Sequence, residues 1–176
     1  MLSDPLPYAQ LFLYQPYLAG AGTPTTAFGF VAAAAALTGA WSARTAHRLE
    51  RYGAARTLWT LGLLTALLYA LMATTRHPIY SGLLHVACFG LMQARYPILS
   101  ALRNRHLESS SRATALSLLG MMEGVWGLAM QLAVGWAADH SLATAFWVLA
   151  IVPLIGVLVV RPRATDERPL IDNSRD

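Results

Sequence analysis

The chain has 176 residues, of which 56% are hydrophobic and only 12% charged, and a formal net charge of +4. Soluble domains carry about 25% charged residues, so the composition argues against a soluble globular domain. The basic residues, all arginine, are scattered between apolar runs rather than gathered in a patch, which argues against a nucleic-acid partner.

Those apolar runs are roughly 18–24 residues long, the length needed to cross a hydrocarbon core about 30 Å thick. The sequence therefore predicts an all-α, polytopic membrane protein whose immediate partner is the lipid bilayer. Six segments can be placed. Segment 6–20 contains Pro7 and Pro16, and 15 helical residues rise only about 22 Å. Its own length is thus short for a span. A span ending near Gly20 should begin some ten residues before Met1, so the expectation is that upstream sequence is lost or that the segment is half buried against neighbours. Segment 24–43 is rich in small residues, with Ala32, Ala36 and Ala40 forming a four-spaced packing row. Segment 57–74 reads as lipid-facing scaffold. Segment 79–101 carries His85, Cys88, Met92 and Arg95. Segment 112–137 carries Glu123 beside a Gly120/Gly124/Gly127 row, and the last apolar segment is 142–160. Together these make a membrane bundle over 1–160. The polar tail 161–176 reads as disordered. No signal peptide is expected, because the N-terminus has no basic n-region.

Arginine sets the topology. The loops at 43–56 and 102–112 and the tail hold Arg44, Arg48, Arg51, Arg56, Arg103, Arg105, Arg112, Arg161, Arg163, Arg168 and Arg175, against Arg76 alone in the alternate loops. By the positive-inside rule the first set is cytoplasmic, which places both termini inside. The expected location is the cytoplasmic (inner) membrane of a bacterium.

Two charges fall within spans. Glu123 lies about 16 Å into its helix from Arg112, near mid-depth, where a carboxylate costs at least about 2.5–3.5 kcal/mol unless it faces a cavity or a partner. Arg95 belongs to the preceding antiparallel segment at a similar depth, so the spacing predicts that the two pair or share a water-filled cavity. The competing reading is a neutral acid that locks two helices, with Arg95 snorkelling to the cytoplasmic surface. Gln10, Tyr14 and Tyr17 follow the i, i+4, i+7 rule and share a face. Tyr17 reads as an interfacial belt residue, and His85 as a hydrogen-bonded packing residue or a pathway residue. Gln131 lies two turns beyond Glu123. Cys88 is alone and cannot form an intramolecular disulfide. No phosphate loop, HExxH or Cys/His metal spacing occurs, so neither cofactor, metal site nor enzyme chemistry is expected.

The loop after Gly39, SARTAHRLERYGAAR, the stretch NRHLESSSRATALSL (104–118) and the turn GWAADHSLATAFWVLA (135–150) together resemble, in order and spacing, spans seven to twelve of a major facilitator superfamily transporter. The first loop keeps Arg44, Arg48, Arg51, Gly53 and Arg56, but has Ser42 and Ala43 where the family often carries an Asp. The resemblance implies one six-span half of a two-half transporter built around a midplane cavity. It implies a small-molecule substrate moved against a gradient of protons or another ion, and a pathway lined by Glu123, Arg95, Gln10, Tyr14, Gln15, Gln131 and His85. Its partner would be a missing N-terminal half or a second copy of the chain. The alternative reading is a truncated, non-transporting membrane fragment or assembly subunit.

Overall fold

The computed structural model describes residues 6–50, 52–106 and 112–159. The tail, Arg51 and the serines at 109–111 lie outside them. Six helices follow in order: α1 (Leu6–Gly20), α2 (Thr25–Glu50), α3 (Ala54–Thr74), α4 (Pro78–His106), α5 (Arg112–His140) and α6 (Leu142–Val159). No strand occurs among the described residues. The architecture is the expected all-α, polytopic one. α2 and α4 run on past the apolar stretches into the basic segments, so Arg44, Arg48 and Arg103 stand on helices rather than in loops.

Four stretches are long and apolar enough to cross a membrane: Thr25–Leu49, Ala54–Thr74, Ala113–His140 and Leu142–Val159. α1 falls short by length. α4 is long enough, at 29 residues, but too polar, because Ser81, His85, Gln93, Arg95 and Arg103 all lie on it. The packing answers that polarity. α4 lies against α2, α3 and α1, while α6 lies against α3, α5 and α1. The outer faces are apolar: Leu63, Leu64, Leu67 and Leu71 on α3, and Trp147, Ile151, Leu154 and Leu158 on α6, are exposed. In water such continuous apolar surface would drive association. In lipid it is the normal exterior of a bundle.

Two helix pairs come unusually close. In α2–α4, a Cβ on Gly39 would stand 2.9 Å from Phe89 and Gln93, and one on Gly90 would stand 2.7 Å from the Thr38 methyl. The glycines are reciprocal, each helix offering a notch to the other's side chains. This corrects the expected alanine row. Ala35, Gly39 and Ala46 are buried, whereas Ala36 and Ala40 are exposed. A run of alanines has no phase of its own, and the glycine sets it. In α3–α6, the Trp59 indole donates to the carbonyl of Val157 at 3.0 Å.

A second correction concerns α3. One face is lipid-exposed, but the other is core: Tyr69 is 0% exposed and Met72 1%. The segment is scaffold on one side and a polar contributor on the other. A third concerns the glycines of α5. The face that packs is Gly127, Met130, Val134 and Ala137. Nothing lies within 4 Å of where a Cβ of Gly120 or Gly124 would stand, so these two bring no described helix close.

The α2–α4 notch gives a direct test. Gly90→Ala should destabilise the protein by about 1–3 kcal/mol through overpacking against the stiff Thr38 side chain. Thr38→Ala in the same chain should recover most of that. Gly29→Ala, with nothing within 4 Å of its Cβ, should be neutral or mildly stabilising. Melting curves in detergent would show the ranking.

Candidate functional site

One face of α4 carries Ser81, His85, Cys88, Met92 and Arg95, spaced by four, three, four and three residues. On a 3.6-residue helix that spacing is a single stripe. It turns inward. Ser81 and Cys88 are fully buried, and His85 and Met92 nearly so. Backbone and side-chain polar groups in a bilayer have no water to turn to, so the stripe must be answered by other helices.

α1 and α3 answer it. The Gln10 amide nitrogen donates to His85 Nδ1 and to the His85 carbonyl oxygen, each at 3.2 Å. The Tyr69 hydroxyl lies 3.2 Å from Gln10 Oε1 and 3.2 Å from Met92 Sδ, and directs its proton to that pair. With Nδ1 accepting, His85 is neutral and carries its proton on Nε2. Cys88 Sγ lies 4.0 Å from Met92 Sδ. The Tyr14 ring stacks on His85 with centroids 5.1 Å apart. Three helices are thereby tied through one amide, Gln10, whose donors and acceptor are all engaged.

The second feature is an ion pair. Arg103 Nη2 on α4 meets Glu123 Oε1 on α5, both side chains mostly buried at 27% and 24% exposed. α4 and α5 do not form one of the bundle's principal helix contacts, so long side chains bridge them. Helix spacing alone put Arg95 opposite Glu123. The structure gives Glu123 an ion pair with Arg103, two turns further along α4 than Arg95, and the long guanidinium stem bridges the gap between the helices.

The remaining expected site residues fall elsewhere. Gln15 is exposed and donates to the Tyr14 hydroxyl at 3.0 Å. Gln131 is exposed on α5, away from the Gln10 network. Arg44, Arg48 and Arg56 are exposed, while Arg105 and Arg112 stand at the facing ends of α4 and α5. Tyr17 is not an interfacial residue: it is 5% exposed, with its ring edge-on to Phe146 at 4.8 Å. Sequence reasoning missed Tyr69 and Ser81 as site residues, and it placed Arg103 in a basic loop rather than opposite Glu123. The signal for Ser81 was present, since it extends the stripe of His85, Met92 and Arg95 by one turn. Tyr69 had none, because its apolar neighbours read the same on either face. Among the described residues no group of three His, Cys, Asp or Glu side chains could hold a metal.

A family profile described as Major Facilitator Superfamily matches residues 8–176. The chain belongs to the major facilitator superfamily. It is therefore an integral membrane protein of a transporter family, and the sheltered α4 is a polar helix within a transporter bundle. No curated protein and no solved structure matches the chain.

The amide that joins the three helices should be the costly one to remove. Gln10→Leu removes the oxygen partner of the Tyr69 hydroxyl and strands the His85 acceptors in a buried setting. It should lower stability by about 2–3 kcal/mol, whereas Gln15→Leu on the exposed face should cost almost nothing. Thermal unfolding of the two variants side by side checks this.

Proposed function

We propose that this chain is the C-terminal half of a secondary transporter that moves a small solute, with protons as the coupling ion. The observation that carries the reading is the Glu123–Arg103 pair. A mostly buried ion pair is a poor device for stability alone, since desolvation offsets much of its attraction. Intramembrane charges mark pathways and relays by default. Here the pair spans two helices that pack little against each other, so breaking it would free α4 from α5 with few other contacts to undo. Protonating Glu123 is a simple way to break it.

In this reading Arg95, His85, Gln10 and Tyr14 give the pathway its polar lining, while Gln15 and Gln131 lie on exposed surface available to a solute or a partner. The chain acts with a second bundle, an N-terminal half or another copy. The open faces at Gly120 and Gly124 support such a partner, since small residues let membrane helices approach closely. The cytoplasmic placement of both termini and the bacterial inner membrane belong to the same proposal and rest on the arginine distribution. The reading of a non-transporting subunit would keep the partner face and leave Glu123 without a role in flux.

Complementation separates the two. In a host lacking the gene, uptake of a panel of labelled solutes should fall for at least one solute. The wild-type chain should restore it and a protonophore should abolish it. Glu123→Gln, present in the membrane at equal amount, should restore less than about a tenth, as expected for loss of a positioned proton carrier. Equal restoration by both chains would remove Glu123 from the mechanism.

A further inference from the structure

The α2–α4 contact fixes which way the rest of α2 points. Gly39 meets Phe89 and Gln93 of α4, and Ala35 and Ala46 are buried on that same side. On a helix of about 3.6 residues per turn, Phe30, Leu37, Trp41, Arg44 and Arg48 fall on the opposite side, and all five are exposed. The stripe is layered along the helix. Phe30 to Trp41 rises about 16 Å, close to the hydrocarbon depth of one leaflet, about 15 Å. Tryptophan is a residue of the membrane–water interface. Arg44 and Arg48 follow one and two turns beyond it, at headgroup level. Neither guanidinium has an ion pair or a hydrogen bond among the described residues, whereas Arg103 is taken by Glu123. Like charges one turn apart on a helix repel, so an anion seated between them is favoured. The Thr57 hydroxyl donates to the Leu49 carbonyl at 2.9 Å. That bond seats the start of α3 beside the end of α2 and brings a third exposed cation, Arg56, to the same end.

We propose that the C-terminal end of α2 is a binding site for one anionic phospholipid. Its phosphate sits between Arg44 and Arg48, its glycerol region against Trp41, and an acyl chain along Leu37 and Phe30. Charge complementarity selects the headgroup, and the apolar half of the stripe selects a lipid over a free anion. The site uses neither Glu123 nor a transported solute, so it stands apart from the transport reading.

Native mass spectrometry of the detergent-solubilised chain, titrated with phosphatidylglycerol or with phosphatidylcholine, tests it. Each arginine at an anionic membrane surface is worth about fivefold in binding, so phosphatidylglycerol should bind at least about tenfold more tightly than phosphatidylcholine. Arg44→Gln and Arg48→Gln in one chain should bring it down to the phosphatidylcholine level. Arg76→Gln, which removes an exposed charge at the other end of the bundle, should leave the preference intact. All three changes lie on the surface, and unchanged far-ultraviolet circular dichroism would show that the variants fold. Equal binding of the two lipids, or equal loss in the double variant and in Arg76→Gln, overturns the proposal. So does displacement of phosphatidylglycerol by equimolar inorganic phosphate, the mark of a free-anion site. A dimer free of lipid would show a second copy covering the stripe and would overturn it as well.

Discussion

The polarity of α4 is the constraint on which the rest of this bundle depends. A helix bearing Ser81, His85, Gln93, Arg95 and Arg103 cannot face hydrocarbon along that stripe, since polar and charged groups at membrane depth must find partners inside the protein. The fold places it against three other helices. α1 contributes Gln10, α3 contributes Tyr69, and α2 presses close enough, through Gly39 and Gly90, to cover a flank. The more apolar α3 and α6 pack on one another and turn their leucines, isoleucine and tryptophan outward. A polar interior helix and apolar outer ones are thus two sides of the same requirement.

That arrangement also explains why the charges sit where they do. Along the Gln10–His85–Tyr69 stripe every described interaction of the amide is fixed and neutral, which suits a joint that holds its shape. Toward the C-terminal end of α4 the chemistry changes to an ion pair with α5, a helix that does not form one of α4's principal contacts. Neutral bonds join the inner framework, and an ion pair joins α4 to α5. The family membership gives such a division a use, because transporters move one set of helices against another around a midplane site.

Much of this was legible in the sequence, and the failures have physical causes. The helix number and class follow from run length and charge spacing, which are local properties. The shared face of Gln10, Tyr14 and Tyr17 and the alignment of His85, Met92 and Arg95 follow from helical periodicity, and the structure brings Gln10 to His85. Facing directions were less legible. Ala32, Ala36 and Ala40 were as plausible a packing row as Ala35, Gly39 and Ala46, because alanine presents the same surface in every phase. Tyr69 gave no sign of pointing inward from an apolar segment. Arg103 read as a loop residue because helix α4 continues beyond its apolar stretch, and only the folded chain shows it reaching back to Glu123.

The central claim is that the Ser81–Arg95 stripe of α4 is sheltered by protein while the opposite face meets lipid. Photolabelling of the membrane-embedded chain with a lipid-soluble carbene precursor, mapped by peptide mass spectrometry, measures this without altering a residue. The account predicts labels on Ile79, Tyr80, Leu83 and Tyr96, which are exposed, and none above background on Ser81, His85, Cys88 or Met92. Comparable labelling of the two sets would contradict it.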